Sequence, residues 1–290
     1  MTGSRARSAS LGGHASIAPL VAALVALFAV PRQELRPART CATCGQAVPI
    51  AQVAQPTGAE QLVAASAKLE FARSLEGRAR LTQRLGAIDD LRAVRVLHPG
   101  DEASAGAAAV LAARELRALD LLDEATVELE FALALDADGP QASGWRLELA
   151  DLERRRGEVA AAVASYAACA QDAGLDETDR AHARLWSGRL SLGLGRRDEG
   201  EKILIALAYD AADPVRSVQA FDELALSDVA AHDLGRAAGW IDACRRRHET
   251  TAARATPTGD RVRRALMRMR GLVELRCALF DQGPLESDEW

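Results

Sequence analysis

A triplet of one small residue, one larger residue and a third small or apolar residue recurs along this chain at nearly constant intervals. The small residues that open the triplets are 38, 37, 38 and 37 positions apart. Such a period predicts a repeat in which each unit is one supersecondary element. The triplets are Ala87, Leu91, Val94; Ala125, Leu129, Ala132; Ala162, Tyr166, Cys169; Gly200, Leu204, Leu207; and Ala237, Ile241, Cys244.

Each triplet has the spacing i, i+4, i+7, which places its members on one face of a helix. An apolar-periodic segment and a short polar turn precede each triplet, so each unit is predicted to be a helical hairpin. The small first residue lets two helix backbones approach closely, and the larger residue fills the space beside it.

The composition predicts an all-α fold. Aromatic residues make up only 4% of the chain, which is dominated by good helix formers such as Ala, Leu, Arg and Glu. The net charge is −5, and only Lys68 and Lys202 among the 36 basic residues are lysines. Nothing in this balance calls for a nucleic-acid partner.

Two stretches resemble tetratricopeptide repeats. GEVAAAVASYAAC (residues 157–169) is similar to that family's turn and second helix, and VLHPGD (96–101) to its repeat-ending segment. First-helix positions of the family match Phe221, Leu224, Ala225, Gly188 and Phe71. The resemblance implies a solenoid of about five antiparallel helical hairpins over residues 60–250. Its period is a few residues longer than the family's usual length of about 34.

The segment 251–290 is predicted to hold a capping helix and an acidic tail. In RVRRALMRMRGLVELRCALF, one stripe carries Val262, Leu266, Met269 and either Leu272 or Val273, with arginines on the other faces. A terminal helix of this kind seals the open end of a repeat array. A basic amphipathic helix on a membrane surface or on nucleic acid is the open alternative.

Residues 1–30 have the layout of a signal sequence or a short membrane anchor. Arg5 and Arg7 precede an uncharged apolar run at 17–30, which ends at Pro31. This run is shorter than the roughly 20 residues that span a bilayer. We expect the chain to contact the membrane through this segment and to be exported or membrane-anchored, in the cell envelope with the periplasmic side favoured.

Residues 31–59 are predicted to be a flexible, proline-rich linker. It contains Cys41 and Cys44 in a C-x-x-C motif followed by Gly45, which resembles half of a zinc ribbon. In an exported protein we expect a disulfide, within one chain or between two, and a metal site is the alternative. No cofactor is implied.

We find no catalytic motif and expect no enzymatic activity. The five histidines form no recognisable metal or triad pattern. Cys244 and His248 are four residues apart and could in principle share a metal ion. We instead expect Cys244 to pack and His248 to be a favourable cation near a helix C-terminus.

Because first helices line the groove in the tetratricopeptide family, the resemblance implies a row of basic side chains there. It consists of Arg114 and Arg117, Arg154 and Arg155, and His182 with Arg189. Guanidinium groups suit carboxylates, so the expected partner is an acidic protein or peptide segment. The function implied is a protein-interaction scaffold. The alternative is an envelope assembly component that oligomerises through Cys41 and Cys44.

Overall fold

The computed structural model describes residues 39–40, 47–48, 54–210 and 212–279. Within these ranges the chain forms two short strands and eleven helices. They are β1 (Arg39–Thr40), β2 (Ala47–Val48), α1 (Gly58–Arg73), α2 (Gly77–Leu97), α3 (Glu102–Ala118), α4 (Leu122–Leu135), α5 (Ala142–Arg156), α6 (Val159–Cys169), α7 (Glu177–Gly193), α8 (Arg197–Asp210), α9 (Pro214–Ala230), α10 (Leu234–Ala253) and α11 (Pro257–Leu279).

The chain divides into two units, residues 1–54 and residues 55–290. In the first unit, β1 and β2 pair antiparallel, with Arg39 opposite Val48. The apolar run 17–30, Cys41 and Cys44 lie outside the described residues, and the interpretations placed on them stay predictions. No helix in the described part of the chain is long and apolar enough to cross a membrane.

The second unit is a helical solenoid, as the repeat predicts. Every helix from α1 to α11 packs against the next one along the chain. The helices pair into five hairpins, α1–α2, α3–α4, α5–α6, α7–α8 and α9–α10. Contacts between α1 and α3 and between α7 and α9 bring first helices of neighbouring hairpins together.

The predicted triplets form the packed face of each second helix. All fifteen residues are buried, with Ala87, Ala125, Ala162 and Ala237 at 0% exposure. Three hydrophobic clusters follow one another along the array instead of one central core. This succession is expected when each unit contacts only its neighbours.

A pair of glycines shows why the triplet opens with a small residue. A Cβ atom added at Gly200 would lie 2.8 Å from the carbonyl oxygen of Gly188. One added at Gly188 would lie 2.7 Å from Cγ of Leu204. Helices α7 and α8 therefore approach so closely here that no side chain fits between their backbones.

The C-terminal helix α11 caps the array along the predicted stripe. Val262, Met269 and Val273 are each 1% exposed and belong to the hydrophobic cluster of the last hairpins, and Leu266 packs against it. The stripe thus covers the end of the core that α9 and α10 would otherwise expose.

The prediction for Phe71 is wrong. Its side chain is 53% exposed, whereas Leu69 and Ala72 of the same helix are 5% and 0% exposed. Helix α1 belongs to the first described hairpin, and no earlier helix of the described residues packs against its outer face. Phe71 therefore does not pack into the core as an aromatic residue at this position of the repeat was expected to do.

The prediction for His248 as a cation near a helix end is also wrong. Helix α10 continues to Ala253, and His248 is only 5% exposed. The Ser217 hydroxyl donates to the carbonyl of Ala208, so the imidazole Nε2–H donates to Ser217 Oγ at 2.8 Å. Burial, with a further contribution from the charge of Arg247, lowers the pKa of His248 below its ordinary value of 6.5.

We expect His248 to make the fold sensitive to mild acid. Because its pKa is lower in the folded than in the unfolded chain, the unfolded chain takes up the proton first, and stability falls as the pH drops below about 6.5. In His248→Gln, which retains an N–H donor for Ser217, this component of the pH dependence should disappear. Chemical denaturation of both proteins at about pH 7.5 and about pH 5 measures it. Identical losses of unfolding free energy in the two proteins would contradict the assignment.

Two neighbouring alanines of α6 test the repeat register. Ala162 is 0% exposed at the helix contact, so Ala162→Leu should overpack it and cost about 1 to 3 kcal/mol of unfolding free energy. Ala164 is exposed, and Ala164→Leu should change the unfolding free energy by less than about 0.5 kcal/mol. Equal shifts of the melting temperature would show that the register is wrong.

Candidate partner-binding site on the first helices

Cross-repeat contacts join the first helices into one surface. Arg114 of α3 contacts Glu148 of α5, with Nη2 to Oε1 at 2.6 Å. His182 Nε2 of α7 lies 3.4 Å from Asp151 Oδ1 of α5. We call the surface formed by ten charged and aromatic residues of α3, α5, α7 and α9 the first-helix face. Its members are Arg114, Arg117, Glu148, Asp151, Arg154, Arg155, His182, Trp186, Arg189 and Glu223.

The six predicted partner-binding residues all lie on this face, and the structure places a carboxylate beside each of them. Besides the contacts above, Arg117 lies 3.8 Å from Glu148, Arg154 lies 3.8 Å from Asp151, and Arg155 lies 2.8 Å from Asp120. Arg189 lies 3.3 Å from Glu223 of α9. The face therefore alternates basic and acidic groups instead of carrying an uncompensated basic row. That these residues bind a partner stays a prediction.

The paired arginines still leave guanidinium groups accessible to a ligand. The side chains of Arg114 and Arg189 are 49% and 51% exposed. Glu148 and Glu223 are themselves only 19% and 17% exposed, so displacing them would leave largely buried carboxylates without a partner. An incoming carboxylate can therefore bind by sharing the guanidinium N–H groups that Glu148 and Glu223 leave free.

Three aromatic rings cluster where α5, α6 and α7 meet. The Tyr166 and Trp186 rings stack with centroids 6.5 Å apart, and His182 meets both edge-on at 6.2 and 6.4 Å. The guanidinium carbons of Arg154 and Arg189 lie 4.0 and 5.0 Å from the centroid of the Trp186 ring. We call Asp151, Arg154, Tyr166, His182, Trp186 and Arg189 the Trp186 cluster.

A hydrogen-bond network fixes the base of the Trp186 cluster. The buried Tyr166 hydroxyl donates to Asp151 Oδ1 and accepts from Arg154 Nε at 3.2 Å. Burial and the hydrogen bond to Asp151 raise the pKa of Tyr166, so this phenol stays a donor. Burial opposes ionisation of Asp151, but hydrogen bonds from His182 and Tyr166 and the charge of Arg154 outweigh it and lower the pKa of Asp151. The base of the site thus holds an ionised Asp151 paired with Arg154, so that its two charges offset each other.

The described residues offer binding groups and no assembled reaction centre. Burial raises the pKa of the Cys169 thiol to about 11 and that of Cys244 to about 12, so neither is an activated nucleophile. No three metal-ligating side chains come together in the described part of the chain. The arrangement on the first-helix face suits recognition by charge and aromatic contact.

Trp186 was not among the predicted site residues. The available signal was the spacing of His182, Trp186 and Arg189, which puts an aromatic residue between two basic ones on one helix face. Its contact with Tyr166 could not be read from that spacing, because Tyr166 comes from the preceding hairpin.

The comparisons with known proteins show the fold. No protein-family model matches the sequence, and no curated protein is significantly similar to it. Two crystal structures of a Podosopora anserina protein with nearly identical TPR-like repeats, described as a kinesin light chain, are similar to this chain. One has 20% identity and a TM-score of 0.51 over 66% of this chain and 97% of that one. The other has 19% identity and a TM-score of 0.50 over 65% and 97%.

At these identities the likeness establishes a TPR-like helical solenoid and nothing finer. A structure of PilW, a widely conserved type IV pilus biogenesis factor, has 19% identity and a TM-score of 0.45 over 76% of this chain and 95% of that one. A TM-score at that level supports no argument about where this chain is located or what it assembles with.

Proposed function

We propose that this chain is a non-enzymatic interaction scaffold that binds an acidic segment of another protein on the first-helix face. The observation that carries the proposal is that two guanidinium groups, Arg154 and Arg189, lie against the Trp186 ring on the part of the face where α5 and α7 meet. Trp, Tyr and Arg are the residues most enriched among those that dominate protein interfaces.

The chemistry of the Trp186 cluster defines the kind of partner. The half-exposed Arg189 guanidinium, like that of Arg114 farther along the face, offers paired N–H donors to a carboxylate. The partly exposed Trp186 ring offers an apolar surface beside them. The matching ligand is a peptide segment that carries carboxylates next to an apolar side chain. We further propose that the chain acts in the cell envelope, exported or held at the membrane by residues 1–30.

The proposal is tested by capturing partners from an envelope extract with the full chain as bait. In Arg114→Glu combined with Arg189→Glu, capture of the specific partner should fall by about tenfold or more. Arg154 is left unchanged because it donates to Tyr166 and its loss would disturb the base of the site. The matched control reverses Arg78 and Arg196, two exposed arginines outside the first-helix face, and should retain capture.

Melting temperatures of both variants verify that the fold persists. The proposal fails if the face variant captures the same partner with unchanged salt dependence, because the guanidinium groups would then contribute nothing.

A further inference from the structure

A groove lies between α9 and the capping helix α11, and none of the residues named for the first-helix face lines it. It encloses a cavity of about 470 Å³. Its apolar lining includes Val215 and Val218 of α9 and Val262 of α11, and its polar lining includes Arg261, Arg264 and Arg268 of α11. Apolar side chains beside several arginines suit a ligand with both carboxylates and hydrophobic groups.

Two of the three arginines in this groove have no carboxylate partner among the described residues, in contrast to the arginines of the first-helix face. Among its described lining residues there is no carboxylate. Arg268 is paired with Asp222 of α9. Arg261 and Arg264 are exposed and make no hydrogen bond or ion pair within the described chain. Two guanidinium groups therefore remain to hold an acidic ligand.

The chain itself carries a sequence of matching chemistry. The segment 281–290, DQGPLESDEW, contains Asp281, Glu286, Asp288 and Glu289 and no basic residue. It also contains two large apolar residues, Leu285 and Trp290. The segment thus combines acidic and apolar groups, and the groove combines basic and apolar groups.

The segment is long enough to reach the groove within one chain. Arg264 lies 15 residues before Leu279, the last residue of α11, which is about 22 Å along the helix at about 1.5 Å per residue. Glu289 follows Leu279 by ten residues, which span up to about 33 Å when extended. The dipeptide Gly283-Pro284 is typical of the turns that reverse a chain.

We propose that the segment 281–290 folds back and binds in the groove between α9 and α11 of the same chain. Its carboxylates contact Arg261 and Arg264, and its apolar residues lie against the valines of the groove. The groove then serves as an internal docking surface that a competing acidic peptide could occupy only by displacing the segment. This docking uses none of the residues of the Trp186 cluster and is independent of the proposed function.

The near absence of lysine allows a sharp test on the full chain. Arg261→Lys with Arg264→Lys keeps both charges and introduces amines that a carbodiimide joins to a contacting carboxylate as an amide. The native lysines Lys68 and Lys202 contribute little background, and Lys68 is paired with Asp90 at 3.0 Å. The matched control is Arg78→Lys with Arg196→Lys, at two exposed arginines that do not line the groove.

Mass spectrometry should find the segment 281–290 joined to residue 261 or 264 in yields about tenfold or more above those at the control lysines. An equal mixture of isotope-labelled and unlabelled protein should give links within one chain only. Links between labelled and unlabelled chains would overturn the proposal in favour of a second copy. Equal yields at groove and control lysines, or no link to the groove, would also overturn it.

Discussion

Replacing both Arg197 and Arg236 by alanine should lower the free energy of unfolding by about 3 to 5 kcal/mol. These arginines of α8 and α10 converge on Asp228 of α9, whose side chain is 1% exposed. Without them, the buried Asp228 carboxylate would keep one donor among the described residues, the indole N–H of Trp240 at 2.8 Å, and Glu201, which is 14% exposed, would lose both of its arginine partners. A buried charge that has lost its counter-ions destabilises far more than an exposed pair contributes.

A third substitution separates the charge from the packing. Adding Asp228→Asn removes the buried charge while retaining an acceptor for Trp240, so part of the lost stability should return. For comparison, Arg73→Ala removes the ion pair between Arg73 and Glu70, whose side chains are 65% and 67% exposed respectively. This change should lower the free energy of unfolding by less than about 1 kcal/mol. Urea titrations of the variants measure these differences. A triple variant no more stable than the double variant would show that buried charge is not the cause.

Gly200→Ala should lower the free energy of unfolding by about 1 to 3 kcal/mol even though alanine is the better helix former. The new Cβ would lie 2.8 Å from the Gly188 carbonyl oxygen, a backbone atom that can move only if α7 and α8 separate. Gly239→Ala in α10 is the matched control, since a Cβ there meets no atom within 4 Å. That change should instead stabilise the fold by about 0.5 to 1 kcal/mol. Effects of the same sign in the two variants would contradict the close helix contact.

The packed core could be predicted from the sequence because it depends on spacing within single helices. The triplet that begins at Ala162 and its four counterparts needed only the helical period and the interval between repeats. Phe71 was misplaced because its burial depends on whether another repeat precedes it, which its own helix cannot reveal. His248 was misplaced because it follows Cys244 by four residues and so continues the packed face of α10, which extends to Ala253.

The partner-binding face could be predicted only in part. The resemblance placed the arginines on the first helices, but not the carboxylates beside them. Arg114 and Glu148, like Arg189 and Glu223, are 34 residues apart, about one turn less than the repeat interval. This offset depends on how neighbouring first helices are rotated against each other, which is set by packing in three dimensions. The Trp186 cluster depends on the same rotation.

The most direct test of the account is to locate the partner on the surface by photo-crosslinking. A photoreactive phenylalanine analogue is placed at position 155, an exposed position of the first-helix face outside the Trp186 cluster, or at position 164, an exposed position on a second helix, in otherwise identical full-length chains. After irradiation in envelope extract, we predict one discrete protein adduct from position 155, and none from position 164. Adducts of equal yield from both positions, or from position 164 alone, would contradict the assignment of the first-helix face as the binding surface.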